Sequence, residues 1–231
     1  IDSNNINKYG GGIKRTKEVG FYRSNMKSNS QGISEELRDK INKHEKIILV
    51  ALATVRKNIY YPFTLEYLED FIYSIILCAK ENASYLFIIK GKKGEFDLLS
   101  NALNEKLNAI LNIYSIPSDI PQLLKYNHFE DLIDKTDIMI SMHYASTTVW
   151  QALSKKIPVI AFCAYDYPIH YDNYQNFIVD NNGLLEALKY WGNIDRKELD
   201  LFFHKIGCQV NLFNNDSLVT MTQDMTDMAK I

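Results

Sequence analysis

The chain has 231 residues, a formal charge of −2 at pH 7 and 46% hydrophobic residues. That balance belongs to a globular protein with a sizeable core, and it lacks the basic excess that drives nucleic-acid binding. Cys78, Cys163 and Cys208 are scattered without a CxxC pair, which argues for reduced thiols in a cytosolic protein rather than a disulfide framework or a zinc site; no apolar stretch approaches the ~20 residues that span a bilayer, and there is no signal peptide.

Residues 1–45 form a linker segment. Gly10-Gly11-Gly12 is a flexible break, and Ser34 followed by Glu35, Glu36 and Leu37 predicts a helix start with acidic residues in its first turn. A partly disordered tail is the alternative. The run Ile47 to Ala53 is continuously apolar, which predicts a strand covered on both faces. It leads into Arg56 and Lys57, where a basic side chain at a strand's carboxyl end could meet a phosphate; two solvated charges are the plainer account. Leu65, Leu68, Phe71, Ile72, Ile75, Ile76 and Ala79 keep helical spacing and predict a helix over 64–82. Tyr85 to Lys90 is the next strand. The following Gly91-Lys92-Lys93-Gly94 lacks the spacing of a P-loop. A second helix is expected over 96–111, a short strand over 112–116, a turn at Pro117-Ser118-Asp119, and one or two short helices over 120–134, with His128 near the start of the second.

The stretch from Lys135 to Pro168 carries most information. Ile138-Met139-Ile140 reads as a buried strand, and Ser146-Thr147-Thr148 supplies hydroxyls just before an apolar helix through Val149, Trp150, Ala152 and Leu153. Lys155 and Lys156 suit that helix's C-terminus. Pro158 to Phe162 is a second buried strand, with proline at its start, where a missing N–H costs least. A helix start at the carboxyl edge of a parallel sheet favours an anion, typically phosphate, although such hydroxyls also cap helices that bind nothing. The loop from Cys163 to Asp172 is crowded with aromatics, Asp166, His170 and Asp172. A strand over 177–179, helices over 184–191 and 196–206, and a polar, Met-rich tail follow. Strands alternating with helices predict an α/β fold, a Rossmann-like doubly wound, mostly parallel sheet of about five to six strands.

His143, just before the hydroxyl turn, is the candidate acid/base near neutral pH, with His170 behind it. Asp166 and Asp172 read better as solvated or capping groups than as a catalytic pair. No HExxH, GxSxG or Ser-His-Asp order occurs, and no metal site is expected.

The segment TDIMIS…ASTTVWQALSKKIPVIAF resembles the donor site of GT-B glycosyltransferases. It is closest to bacterial surface-polysaccharide transferases and CDP-glycerol glycerophosphotransferase-like proteins, and the likeness covers residues 46 to 190. The resemblance implies that Ser146, Thr147 and Thr148 hold donor phosphate, that Lys90 ends its strand near the donor, and that Gln151 stands where the family's glutamate binds the nucleotide ribose. Glutamine keeps the hydrogen bonding and loses the charge. On this reading 1–45 is the linker, 46–195 the donor-binding domain and 196–231 a C-terminal helical extension. The implied partners are a nucleotide-sugar or nucleotide-polyol donor, used as a substrate with no cofactor, and a glycan or lipid-linked acceptor. The start at Ile1 rather than Met and the short length point to an N-terminal acceptor domain outside this sequence. The expected location is cytoplasmic, with peripheral association at the inner face of the membrane left open. Two alternatives share the fold: an isomerase of the nucleotide-sugar 2-epimerase type, and a non-catalytic interaction module, mildly favoured by Gln151.

Overall fold

Among the described residues six parallel strands make one sheet, and the first of them runs through its middle. In the computed structural model, which describes residues 31–55, 64–92, 94–117, 126–142, 146–162, 178–179 and 183–210 (backbone alone for 178–179 and 206–210), these are β1 (Lys46–Ala51), β2 (Tyr85–Lys90), β3 (Ile113–Ile116), β4 (Ile138–Ser141), β5 (Val159–Phe162) and β6 (Ile178–Val179). Their order is β3-β2-β1-β4-β5-β6. The helices are α1 (Glu35–Ile41), α2 (Leu65–Glu81), α3 (Asn101–Asn108), α4 (Phe129–Ile133), α5 (Thr147–Ser154), α6 (Leu184–Asn193) and α7 (Arg196–Val210).

Consecutive buried residues along β1, β4 and β5 mean that the sheet is covered on both faces, as continuous apolar runs require. The chain builds outward from β1 to β3, then returns to lay β4 on the free side of β1. Asp137 guides that return: its Oδ2 accepts the Ile47 N–H at 2.7 Å, just before β4 begins. Register places Ala51 beside Lys90 on one side and Ser141 on the other. The loops leaving β1 and β4 therefore start side by side, where the strand order reverses.

Two expectations need correction. The helix expected over 96–111 is divided into a 3-10 turn, Glu95–Leu98, and α3. Leu99 and Ser100 are extended between them. Asn104 Nδ2 donates to the carbonyls of Phe96 and Leu99, and Glu69 Oε1 accepts the Ser100 N–H at 2.9 Å, so side chains supply what a continuous helix would have supplied. The apolar stripe of α2 is buried as expected from Leu68 to Ala79 and departs from expectation only at its start. Leu65 is 44% exposed, whereas Tyr67 is 3% exposed. Leu65 opens the helix, with Thr64 as its cap accepting the Tyr67 N–H, while the Tyr67 phenol finds buried carbonyl acceptors.

Candidate functional site

The hydroxyl cluster sits where the sequence places it, at the start of α5, after the loop that leaves β4. Ser146 is extended (φ −71°, ψ 142°) and caps the helix: its Oγ accepts the Thr148 N–H at 3.3 Å. The Ser146 and Thr148 hydroxyl oxygens lie 2.6 Å apart and share a hydrogen bond. Thr147 is exposed and stands at the first helical position, whose N–H has no partner within the helix. It is the most exposed residue of the trio. Gln151 lies one turn further on, in line with Thr147 and Thr148, and is 6% exposed.

Lys90 closes β2 on the same edge of the sheet. It is in register with Ala51, which pairs in turn with Ser141, so two strand spacings, about 10 Å, separate the β2 and β4 backbones at this level. Burial holds the Lys90 amine below the usual lysine range, and the negative charge of Glu130, on α4, works in the opposite direction. The carboxyl edge thus gathers a partly desolvated cation, three hydroxyls and a helix N-terminus, a set suited to an oxyanion.

The described residues bring Ser146, Thr147, Thr148, Gln151 and Lys90 to one edge. Arg56, His143, His170, Asp166 and Asp172 lie outside the described residues, as do the Gly10–Gly12 break and the turn at Ser118-Asp119. Glu130 was not among the sequence candidates; nothing in its spacing separates it from an ordinary first-turn acid. Tyr67 was also missed, although its i+4 relation to Phe71 was a usable signal. Among the described residues no group of His, Cys, Asp and Glu could hold a metal ion, and no helix is long and apolar enough to cross a membrane.

No protein-family model matches the chain, and no curated protein does. Solved structures match. A putative UDP-N-acetylglucosamine 2-epimerase from Listeria monocytogenes aligns with a TM-score of 0.56 and 12% identity, over 91% of this chain and 51% of its own. A UDP-GlcNAc 2-epimerase from Neisseria meningitidis, bound to UDP-GlcNAc, gives 0.50 and 15%, over 83% and 47%. Os79 from O. sativa, in complex with U2F and trichothecene, gives 0.53 and 16%, over 84% and 44%. The chain spans about half the length of these structures. What is shared at such identities is the fold: this chain has the Rossmann-like α/β architecture of one GT-B half.

Proposed function

We propose that this chain is the nucleotide-binding half of a GT-B-type enzyme acting on a nucleotide-activated sugar, with the diphosphate on the first turn of α5. The observation that carries this reading is a hydroxyl-capped helix start at the point where the sheet order reverses. In doubly wound folds that crevice takes the ligand, and the helix dipole favours its negative charge. Thr147 would donate to phosphate, Ser146 would keep the turn in shape, Lys90 would add positive charge, and Gln151 would reach a ribose hydroxyl. Arg56 and His143 are kept as further candidates beside them.

In the transfer reading with a sugar nucleotide, the bond between the sugar and the diphosphate breaks as one to an acceptor oxygen forms, and a nucleoside diphosphate leaves; with a nucleotide-polyol donor, the bond between the two phosphates breaks, the polyol phosphate passes to the acceptor oxygen and a nucleoside monophosphate leaves. In both, the leaving phosphate gains negative charge that the helix start and Lys90 would stabilise. The donor would be a nucleotide-linked sugar or polyol phosphate, of the surface-polysaccharide and CDP-glycerol kind, with a glycan or lipid-linked acceptor held by a second domain on the cytoplasmic side. The epimerase reading is supported by the epimerases among the neighbours. It uses the same diphosphate site and inverts the sugar at C2. Proton NMR of UDP-GlcNAc incubated with the protein separates the two: a C2 epimer supports isomerisation, and released UDP supports transfer or hydrolysis.

The binding site itself is tested by calorimetric titration of UDP, CDP and uridine. Thr147→Ala should weaken UDP about tenfold to a hundredfold, the equivalent of one charge-assisted hydrogen bond, and leave uridine unchanged. Ser146→Ala should weaken UDP as well and lower stability by about 1 kcal/mol through loss of the cap. UDP affinity that survives both substitutions would place the phosphate elsewhere.

A further inference from the structure

Tyr67 joins the two strand ends that flank the hydroxyl turn. It lies in the first turn of α2, its own N–H held by Thr64 Oγ1 at 3.2 Å. Its phenol runs inward to the carboxyl edge of the sheet. The hydroxyl lies 3.2 Å from the Met142 carbonyl and 3.1 Å from the Phe162 carbonyl, both bonds buried. Met142 is the first residue past β4, and Phe162 is the last of β5. The Met142 N–H is already held by the Ala51 carbonyl of β1 at 3.0 Å, so this residue is fixed on both sides, to β1 through its N–H and to Tyr67 through its C=O. Phe162 is held by its ring too, 5.6 Å from that of Tyr67 and 4.8 Å from that of Phe71.

A phenol has one proton to donate. Two carbonyls on adjacent strands can share it only if they stay close to one oxygen. The hydroxyl therefore bridges the two chains one residue beyond Ser141 and Ala161, the last pair of β4 and β5 in register. Three residues separate Met142 from the Ser146 cap.

We propose that Tyr67 is a positioning residue for the phosphate turn: by holding the exits of β4 and β5 together it fixes where Ser146 and the N–H groups of Thr147 to Val149 stand. The idea rests on the diphosphate reading above. It makes a separate claim, that a side chain on α2 which touches no ligand controls the α5 site.

Tyr67→Phe keeps the ring and removes the hydroxyl. Ile76→Val trims the core face of the same helix and serves as the control. In calorimetric titrations of the full chain, Tyr67→Phe should lose about tenfold in UDP affinity, about 1.4 kcal/mol, with uridine affinity unchanged, and Ile76→Val should leave both unchanged. Tyr67→Phe that binds UDP like wild type, or loses UDP and uridine equally, would overturn the proposal. So would a loss of far-UV helical signal in Tyr67→Phe, which would assign the phenol to the core alone. Should the wild-type protein bind UDP no better than uridine, the diphosphate reading fails, and hydrogen exchange of the unliganded protein decides this one. The amides of Thr148 and Val149, which bond to Ser146, should then exchange about tenfold faster in Tyr67→Phe and not in Ile76→Val; unchanged exchange would overturn it.

Discussion

Lys90 has two opposed influences on its charge, and their sign can be worked through. Burial, the larger, lowers its pKa from the ordinary 10.5, and Glu130 raises it. The folded protein thus holds that proton less tightly than the unfolded chain does. Between the lowered value and 10.5 the unfolded state binds more protons, so Lys90 makes stability rise with pH across that window. A phosphate beside the amine would favour the charged form. UDP affinity should therefore fall as pH rises through the lowered pKa, before an ordinary lysine would titrate. Lys90→Met should bind UDP about tenfold more weakly, as loss of a charged hydrogen bond requires, and should flatten that decline. A decline of the same slope in Lys90→Met would mean that another group titrates. The sequence made the residue types of this edge legible, because hydroxyls before an apolar helix and a lysine after an apolar run are local patterns. Which hydroxyls are tied up with each other was not legible. That depends on Ser146 turning its oxygen back to Thr148.

Among the elements, the strands and most helices follow from apolar spacing alone, with ends within a few residues of expectation. The exceptions have tertiary causes. Tyr67 enters the core because acceptors at the carboxyl ends of β4 and β5 reach it, and α3 starts late because Asn104 and Glu69 satisfy the interrupted backbone. Neither partner is visible in a local window. Asn112 does similar work between α2 and β3. Its Nδ2 lies 3.0 Å from the Ala79 carbonyl, 3.0 Å from that of Asn82 and 2.9 Å from that of Tyr85, so one amide joins the end of α2 to the start of β2. Asn112→Ala removes this buried donor, although the Ala79 and Asn82 carbonyls keep the N–H groups of Asn82 and Tyr85, and should cost about 1–2 kcal/mol, or about 3–6 °C in Tm for a chain of this size. Its neighbour Leu111 is 91% exposed, and Leu111→Ala should leave Tm unchanged. Thermal melts of the two variants compare a buried amide with an exposed leucine one residue away.

At the scale of the whole molecule, alternation of strand and helix made the parallel sheet legible. The strand order was not, since no short pattern says that β4 returns to β1 rather than adding beyond β3. Cys78 offers a probe of this assembled core. Burial pushes its thiol up to about 12, with Lys189 acting weakly the other way, so almost no thiolate exists near neutral pH while the fold is closed. In a Cys163→Ser, Cys208→Ser background, a disulfide reagent should label Cys78 only through opening of the fold. Its rate should rise with denaturant along the slope of global unfolding. Labelling that ignores denaturant would mean that α2 opens on its own.

The central place of β1 has a consequence for how the protein is made. Its partner on the β4 side lies far along the chain: Asp137 is 90 residues beyond Ile47. At about 5–20 residues per second of synthesis, roughly 5–18 s pass between the two reaching the end of the growing chain. For that interval an apolar strand waits with one edge unpaired, the kind of edge that recruits other chains. A ribosome-bound fragment ending after β3 should therefore depend on chaperones or aggregate, and release from that state should coincide with the emergence of β4.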